Sequence, residues 1–126
     1  MIKISKDMEP RPTPRPTVTR SGISFYPKKY KDYRAVWAKE WEKFDELEPN
    51  IPVEVSIVCE YKPPKTLKGR KYPFPRHDVD NLAKAILDSM NKVLFHDDTV
   101  VVSLKVKKFY GVKDNVTVKV FYDQNM

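Results

Sequence analysis

Apolar and polar side chains alternate along four stretches of the chain, which is the pattern of half-buried β-strands. The longest stretch, Ile51–Tyr61, has an apolar side chain at nearly every second position. Shorter ones cover residues 100–106 and 116–122, and Ile2–Ile4 marks a brief first strand. A turn near Gly111–Asn115 is expected to separate the last two strands.

Two other stretches repeat apolar side chains every three or four positions and predict helices. The first is expected over about residues 30–47, where Pro49 ends it, and the second over about residues 79–94. Residues 10–16 contain four prolines and are expected to be extended. This order predicts an α+β fold, with two main helices packed on one β-sheet in a single small domain over residues 1–126.

The composition is that of an ordinary globular protein, with 40% hydrophobic and 33% charged residues in a chain of 126. No run approaches the roughly 18 apolar residues of a transmembrane helix, so no membrane association is expected. The first ten residues lack the apolar stretch of a signal peptide, so we expect a cytoplasmic protein. Cys59 is the only cysteine, which excludes an internal disulfide and a cysteine-based zinc site.

Basic residues outnumber acidic ones by seven and are concentrated in two segments, the basic arm (residues 10–29) and the basic loop (residues 62–76). The candidate phosphate-binding side chains are Arg11, Arg15, Arg20, Lys28 and Lys29 in the arm and Lys65, Lys68, Arg70, Lys71 and Arg76 in the loop. Because no acidic residue interrupts the loop, a nucleic-acid partner explains these residues better than a merely solvated surface.

Four polar residues mark the second predicted helix. Asp78 and Asp80 come at its start, and Lys84 and Asp88 follow Asp80 on the same helix face at spacings of four. In an extended lead-in, residues two apart point the same way, so the carboxylates of Asp78 and Asp80 can converge just before the helix. Lys84, one turn into the helix, can reach the same point.

A second acidic element, Asp97-Asp98, lies just before a predicted strand. Adjacent side chains of an extended chain point to opposite faces, so one of the two is expected to face a shared site, and the spacing does not select which. With Asp78 and Asp80 it would form the oxygen-only ligand set that Mg²⁺ or Mn²⁺ prefers. Such a metal activates water and neutralises charge during phosphodiester cleavage, and Lys84 would stabilise that charge or handle the water proton.

Each of these features also has a purely structural explanation. Asp80 alone could cap the helix, with Asp78 as a looser companion. The series Asp80, Lys84 and Asp88 could form solvated ion pairs. The pair Asp97-Asp98 could be ordinary turn residues. The combination of all three features in one small basic protein favours the metal hypothesis.

The motif D-x-D-N-L-x-K-x3-D over residues 78–88, followed by the double aspartate at 97–98, resembles the RusA family of Holliday-junction resolvases. These are small endodeoxyribonucleases, often encoded by phages and prophages. The Pro/Arg-rich arm and the Tyr-Pro-Lys-Lys-Tyr stretch at residues 26–30 are also similar to that family. The likeness covers most of the chain.

The resemblance implies an α+β homodimer with one mixed sheet that binds four-way DNA junctions and makes paired, symmetric nicks with Mg²⁺ or Mn²⁺, acting in DNA recombination and repair. The residues that match the family's catalytic, metal-binding carboxylates and its essential lysine are Asp78, Asp80, Asp98 and Lys84. Asp97 is the alternative ligand. Many members carry Gly where this chain has Lys92, so the turn after the second helix is where the chain departs from the family.

The leading hypothesis is therefore a metal-dependent, structure-selective DNA endonuclease that resolves four-way junctions. The alternative is a nucleic-acid-binding module of the same fold without catalysis, in which the carboxylates serve only as caps and turns. A metal phosphohydrolase acting on a small nucleotide is a third, disfavoured because a nucleotide needs far fewer cations than the basic arm and loop provide.

Overall fold

A computed structural model describes residues 1–65, 69, 72–73 and 77–123 of the chain. Its elements are strands β1 (Ile2–Lys6), β2 (Thr17–Val18) and β3 (Ser24–Phe25), helix α1 (Lys28–Trp41), strand β4 (Val53–Tyr61), helix α2 (Val79–Met90), a 3₁₀ turn (Asp98–Val100), and strands β5 (Val101–Tyr110) and β6 (Asn115–Tyr122). No helix within the described ranges has the length and apolar content needed to cross a bilayer.

Four strands form one mixed sheet in the order β1-β6-β4-β5. β4 is parallel to β5, while β6 is antiparallel to both β1 and β4. Along β4 the side chains alternate as the sequence predicts, so that Val53, Val55 and Ile57 are buried and Glu54 is exposed. The prediction of an α+β domain with one sheet and two main helices is confirmed.

Both helices contribute to the same hydrophobic core as the alternate residues of β4. Trp37 and Trp41 of α1 stack with ring centroids 5.8 Å apart and are completely buried. The indole N–H of Trp41 donates to the Ser89 hydroxyl of α2 at 2.9 Å, which fixes the two helices against each other. The opposite, polar face of α2 is therefore held in a defined orientation.

Both helices end earlier than the apolar spacing predicts. α1 ends at Trp41, because the N–H of Phe44 turns back to the Trp41 carbonyl at 3.1 Å instead of continuing the helix. α2 ends at Met90, and Lys92 then adopts a left-handed conformation with φ of +63°. The N–H of Lys92 donates to the Phe95 carbonyl at 2.8 Å and closes this turn.

Residues 10–16 of the basic arm contain no helix or strand, which is compatible with the expected extended chain, but the rest of the arm contains an element that was not predicted. After Pro16 the chain forms a separate two-stranded hairpin, in which Thr17 pairs with Phe25 and Val18 with Ser24. The four prolines end just before the hairpin, so they do not interfere with its ladder.

β5 differs from the predicted strand in where it begins and in how exposed its apolar side chains are. The predicted strand at residues 100–106 begins one residue later, because Val100 belongs to the 3₁₀ turn. Val102 and Leu104 are 65% and 45% exposed although their alternation is that of a half-buried strand. β5 is an edge strand, and its register against β4 shifts between Val53 and Glu54, so Val102 lies outside the regular pairing.

Candidate active site

The acidic residues at the start of α2 are exposed to solvent. Asp78 occupies the N-cap position in an extended conformation (φ −66°, ψ 141°), and Asp80 lies in the first turn. The Asp78 side chain makes no capping hydrogen bond. The structural alternative in which Asp80 caps the helix is therefore wrong, and the Asp78 carboxylate is not used by the helix backbone. Both carboxylates lie at the helix end whose unpaired N–H groups favour negative charge.

The chain that leads into α2 is fixed by the sheet. The Lys108 ammonium of β5 donates to the carbonyl oxygen of His77 at 3.1 Å. The His77 ring lies against Tyr61, the last residue of β4, with ring centroids 6.5 Å apart. Because His77 immediately precedes Asp78, these contacts set where the N-terminal carboxylates stand.

The polar face of α2 continues through Lys84, which is exposed, to Asp88, which is half-buried. Within the described part of the chain, Lys84 forms no ion pair with Asp80 or Asp88. The alternative of solvated ion pairs along this face is not realised in the structure. Lys84 therefore presents an ammonium group that is available to a ligand.

Asp88 receives a hydrogen bond from a distant part of the chain. The hydroxyl of Tyr30, which is only 4% exposed, donates to Asp88 Oδ2 at 3.1 Å. The same hydroxyl lies 3.3 Å from Thr13 Oγ1 in the basic arm. Burial, followed by the negative charge of Asp88, raises the pKa of Tyr30, so its hydroxyl keeps its proton at physiological pH.

The basic arm is attached directly to the acidic helix. The N–H of Thr13 donates to the carbonyl of Asn81 at 3.0 Å, one residue after Asp80. Together with the Tyr30 hydroxyl, this contact joins the arm, α1 and α2 at one place. A segment expected to bind phosphates thus begins beside the segment expected to cleave them.

The expectation that Asp97 and Asp98 lie on an extended chain is wrong. Asp97 is extended (φ −151°, ψ 147°), but Asp98 begins the 3₁₀ turn, so the chain is not extended through both residues. Partial burial raises the pKa of the Asp98 carboxyl, and a hydrogen bond and charge repulsion from Asp97 add to this effect. The charge of Asp88 acts in the same direction, which places the polar face of α2 within electrostatic reach of Asp98.

The residues fit a divalent cation by the chemistry of their donors, although they are not assembled around one point. Among residues 1–65, 69, 72–73 and 77–123, no three His, Cys, Asp or Glu side chains converge closely enough to hold a metal ion. Asp78, Asp80 and Asp98 nonetheless supply only carboxylate oxygens, which suit Mg²⁺ or Mn²⁺. Partial burial is the main cause of the raised pKa of Asp98, and the hydrogen bond and charge of Asp97 add to it; a bound cation would favour the ionised carboxylate against these effects. The assignment of these residues as ligands stays a prediction.

Several predicted DNA-binding side chains are placed by the structure, and others are outside its described residues. Those exposed to solvent are Arg15, Arg20, Lys28, Lys29 and Lys65, and Arg11 is half-buried. Lys28 makes a long, exposed ion pair with Asp32 at 3.8 Å. The predicted residues outside the described ranges are Lys68, Arg70, Lys71 and Arg76.

Sequence reasoning missed two positioning contacts. Tyr30 has the helical spacing of a core residue, and nothing local indicates that its hydroxyl reaches Asp88, 58 positions away. The contact of Lys108 could have been suspected from the sequence. Val102, Leu104 and Val106 are apolar at every second position, and Lys108 is the charged residue that interrupts this series.

Comparison with known proteins agrees with the motif. The profile of the family described as Endodeoxyribonuclease RusA matches residues 7–121. The uncharacterized protein YqaN of Bacillus subtilis (strain 168) is 41% identical over 59 residues, which are 47% of this chain and 42% of that protein. A protein of Lactococcus phage r1t named crossover junction endodeoxyribonuclease rusA is 28% identical over 75 residues, which are 59% of this chain and 57% of that protein. The chain thus spans about half the length of these curated relatives.

Proposed function

The chain belongs to the RusA family of endodeoxyribonucleases, and from this premise we propose that it resolves four-way DNA junctions by divalent-metal-dependent, paired nicks. The observation that carries the proposal is the polar face of α2, where exposed Asp78, Asp80 and Lys84 stand beside the attached basic arm. The phage relative's name, which refers to crossover junctions, supports the same substrate. The proposed place of action is DNA inside the cell.

The metal would be held by Asp78, Asp80 and Asp98, with Asp97 as the alternative to Asp98. When bound, Mg²⁺ or Mn²⁺ supplies an activated water and neutralises charge on the phosphate. The protein's own contribution is to hold the carboxylates on two rigid supports. The start of α2 is fixed through His77, and Asp98 through the turn that leads into β5.

Lys84 acts on the scissile phosphate in this proposal. Its ammonium group is exposed and lies one helical turn after Asp80, on the same face. A cation at this position stabilises the negative charge that develops on the phosphate oxygens during hydrolysis. Replacing Lys84 by a neutral residue should therefore affect the chemical step more than binding.

The basic arm holds the DNA backbone next to these residues. Arg15, Arg20 and Lys29 are exposed along the arm, and the arm is joined to α2 through Thr13. Contacts of this kind position the nucleic acid without reading its sequence. They also make binding strongly dependent on salt, because each contact releases counterions.

A homodimer is part of the proposal. A four-way junction has near two-fold symmetry, and its resolution needs two matching cuts. Two identical chains related by a two-fold axis would present one site to each of the two strands cut. Sedimentation of the protein with and without a junction tests this part separately from cleavage.

The decisive experiment compares the wild type with Asp80→Asn on a labelled four-way junction and on a matched linear duplex. We expect paired nicks on the junction in Mg²⁺ or Mn²⁺, their loss in EDTA and in Asp80→Asn, and retained junction binding by the variant. Asp45→Asn, which removes an exposed aspartate far along the sequence from α2, is the matched control and should cleave normally.

The outcomes separate the two main hypotheses. Normal cleavage by Asp80→Asn would refute the metal-site assignment. Tight junction binding by the wild type, with no cleavage in either metal, would support a nucleic-acid-binding module of the same fold instead. Hydrolysis of free nucleotides without DNA cleavage would favour a small-molecule phosphohydrolase.

A further inference from the structure

The β2–β3 hairpin exposes apolar side chains that, among the described residues, do not pack against the hydrophobic core. Val18 is 65% exposed, Ile23 63% and Phe25 43%. Ile23 and Phe25 are two residues apart and share one face of the hairpin, while Val18 lies on the other. Apolar side chains in a soluble domain are normally turned toward a core, so their exposure on both faces indicates a surface that meets a partner.

The hairpin is nevertheless an ordered element. Beyond the two paired positions, the N–H of Thr19 donates to the Ile23 carbonyl at 2.8 Å, and the N–H of Ile23 donates to the Thr19 hydroxyl at 3.1 Å. Gly22 has φ of +84°, a conformation that L-residues rarely adopt, and its N–H donates to the Thr19 carbonyl at 3.0 Å. The tip is thus closed by its own hydrogen bonds and projects its side chains in fixed directions.

Both ends of the hairpin are fixed near the acidic helix. On one side, Thr13 is hydrogen-bonded to Asn81 of α2, and Thr17 follows only four positions later, a span of at most about 14 Å. On the other side, the ring of Tyr26 packs on Tyr30, with centroids 5.0 Å apart. The base of the hairpin is therefore held close to the proposed site of cleavage while its tip remains free.

The charge around the hairpin identifies the partner. No acidic residue lies between Glu9 and Asp32, whereas Arg15, Arg20 and Lys28 flank or cap the apolar side chains. A continuous positive segment favours a polyanionic partner, and the DNA backbone is the polyanion that an endodeoxyribonuclease of this family meets. Apolar side chains framed by cations are the combination that proteins insert between base steps or stack on unpaired bases.

We propose that the hairpin Thr17–Phe25 is a wedge that packs Ile23 and Phe25 against bases unstacked at the branch point of a DNA junction. This inference rests on the proposed function and adds to it a source of selectivity for branched over linear DNA. At a branch point the flanking base pairs are already partly unstacked, so the wedge meets bases there that a continuous duplex keeps stacked. Arg20 at the tip holds the backbone beside it.

The test uses the double variant Ile23→Thr/Phe25→Thr, which places a residue of high β-propensity at both positions and removes the apolar surface without altering charge. Binding to a four-way junction and to a matched duplex is measured in EDTA, with 2-aminopurine next to the branch point to report unstacking. We expect junction affinity to fall about tenfold, duplex affinity to stay unchanged, and the 2-aminopurine signal of the wild-type complex to be lost. Val112→Thr, at an 88% exposed apolar residue outside the hairpin, is the control and should bind as the wild type does.

Other outcomes overturn the wedge. If the double variant keeps its junction preference and the 2-aminopurine signal, the wedge is refuted, and paired cleavage by the wild type still leaves the proposed function standing. An equal loss on junction and duplex would make the hairpin a general DNA contact, and a change in sedimentation would make it a contact between copies of the chain. A wild type without junction preference refutes the proposed function as well. If the double variant fails to fold, the single variant Ile23→Thr carries the test, with a severalfold loss expected on the junction only.

Discussion

The N-terminal half of α2 is linked to the β2–β3 hairpin through the hydrogen bond between Asn81 and Thr13, yet the two regions are stabilised in different ways. The helix places Asp80 and Lys84 on a face whose reverse side is fully packed, with Leu82 and Ile86 each only 1% exposed. The hairpin buries neither of its faces, and it is held by its own hydrogen bonds and by the attachments that flank it.

This difference matches what each region is proposed to do. A catalytic carboxylate must be held within a fraction of an ångström before substrate arrives, which needs the rigidity that core packing supplies. A DNA-contacting hairpin gains its packing partner only on binding, so the free protein does not have to stabilise it through a core. Catalytic geometry and substrate selectivity are thereby assigned to separate elements joined at Thr13 and Asn81.

The largest expected contrast is in stability. Ile86→Ala leaves a cavity beneath the acidic face of α2 and should lower the free energy of unfolding by about 2–5 kcal/mol. Ile23→Ala removes a side chain that is 63% exposed and lies outside the described core, and it should change the free energy of unfolding by less than about 0.5 kcal/mol. Urea denaturation of both variants measures the two values. Similar losses would show that the hairpin is part of the cooperative core and would break the comparison.

Junction cleavage should depend on the polar face of α2 and not on exposed lysines elsewhere. Lys84→Ala removes the exposed cation of the α2 face and should reduce junction cleavage by about 100-fold or more, while binding and folding are retained. Lys39→Ala, at an exposed lysine of α1, is the matched control and should cleave normally. Cleavage rates under single-turnover conditions, with circular dichroism for folding, give the answer. An unfolded Lys84→Ala protein would mean that Lys84 is structural.

Much of the fold could be predicted because its strongest elements carry long, regular patterns. β4 alternates over nine residues, and α2 repeats its apolar residues over twelve. The hairpin escaped prediction because its paired strands are two residues long each, too short for any periodicity. The exposure of Val102 and Leu104 depends on β5 being an edge strand, which is a property of strand order and not of the local sequence.

In the candidate site, the features that follow from local spacing were predictable and those that depend on tertiary packing were not. The common face of Asp80, Lys84 and Asp88 follows from helical spacing alone. The hydrogen bond from Tyr30 to Asp88 does not, because it joins residues brought together only by the packing of α1 on α2. The backbone at Asp97 and Asp98 was mispredicted because a three-residue 3₁₀ turn replaces the extended chain that the strand pattern implies.

The raised pKa of Asp98, caused first by partial burial and then by Asp97, should be visible as a pH-dependent effect on stability that is smaller than the two above. A raised carboxyl pKa means that the folded chain binds this proton more tightly than the unfolded chain, so the wild type loses stability as pH rises through that pKa. Asp98→Asn cannot ionise and should be more stable in EDTA near neutral pH by a few tenths of a kcal/mol, a gain that disappears in acid. Thermal unfolding across pH 3–8 tests this, and Asp45→Asn should show no such gain. A variant that is less stable than the wild type at neutral pH would mean that Asp98 makes a stabilising contact.

The last expected effect is on stability alone and lies just after the end of α2, at Lys92. Lys92 has φ of +63°, a left-handed conformation that costs a non-glycine residue about 1–2 kcal/mol. Glycine removes this strain but loses more chain entropy on folding, by roughly 0.5–1 kcal/mol, so Lys92→Gly should stabilise the protein by about 0.5–1 kcal/mol. Asn50 has nearly the same φ, +67°, but asparagine tolerates this region, so Asn50→Gly should gain less. Cleavage should be unchanged in both variants, because neither Lys92 nor Asn50 is among the proposed metal ligands or phosphate-binding residues. A loss of stability in Lys92→Gly, measured by urea denaturation, would show that the lysine side chain contributes contacts that outweigh the backbone strain.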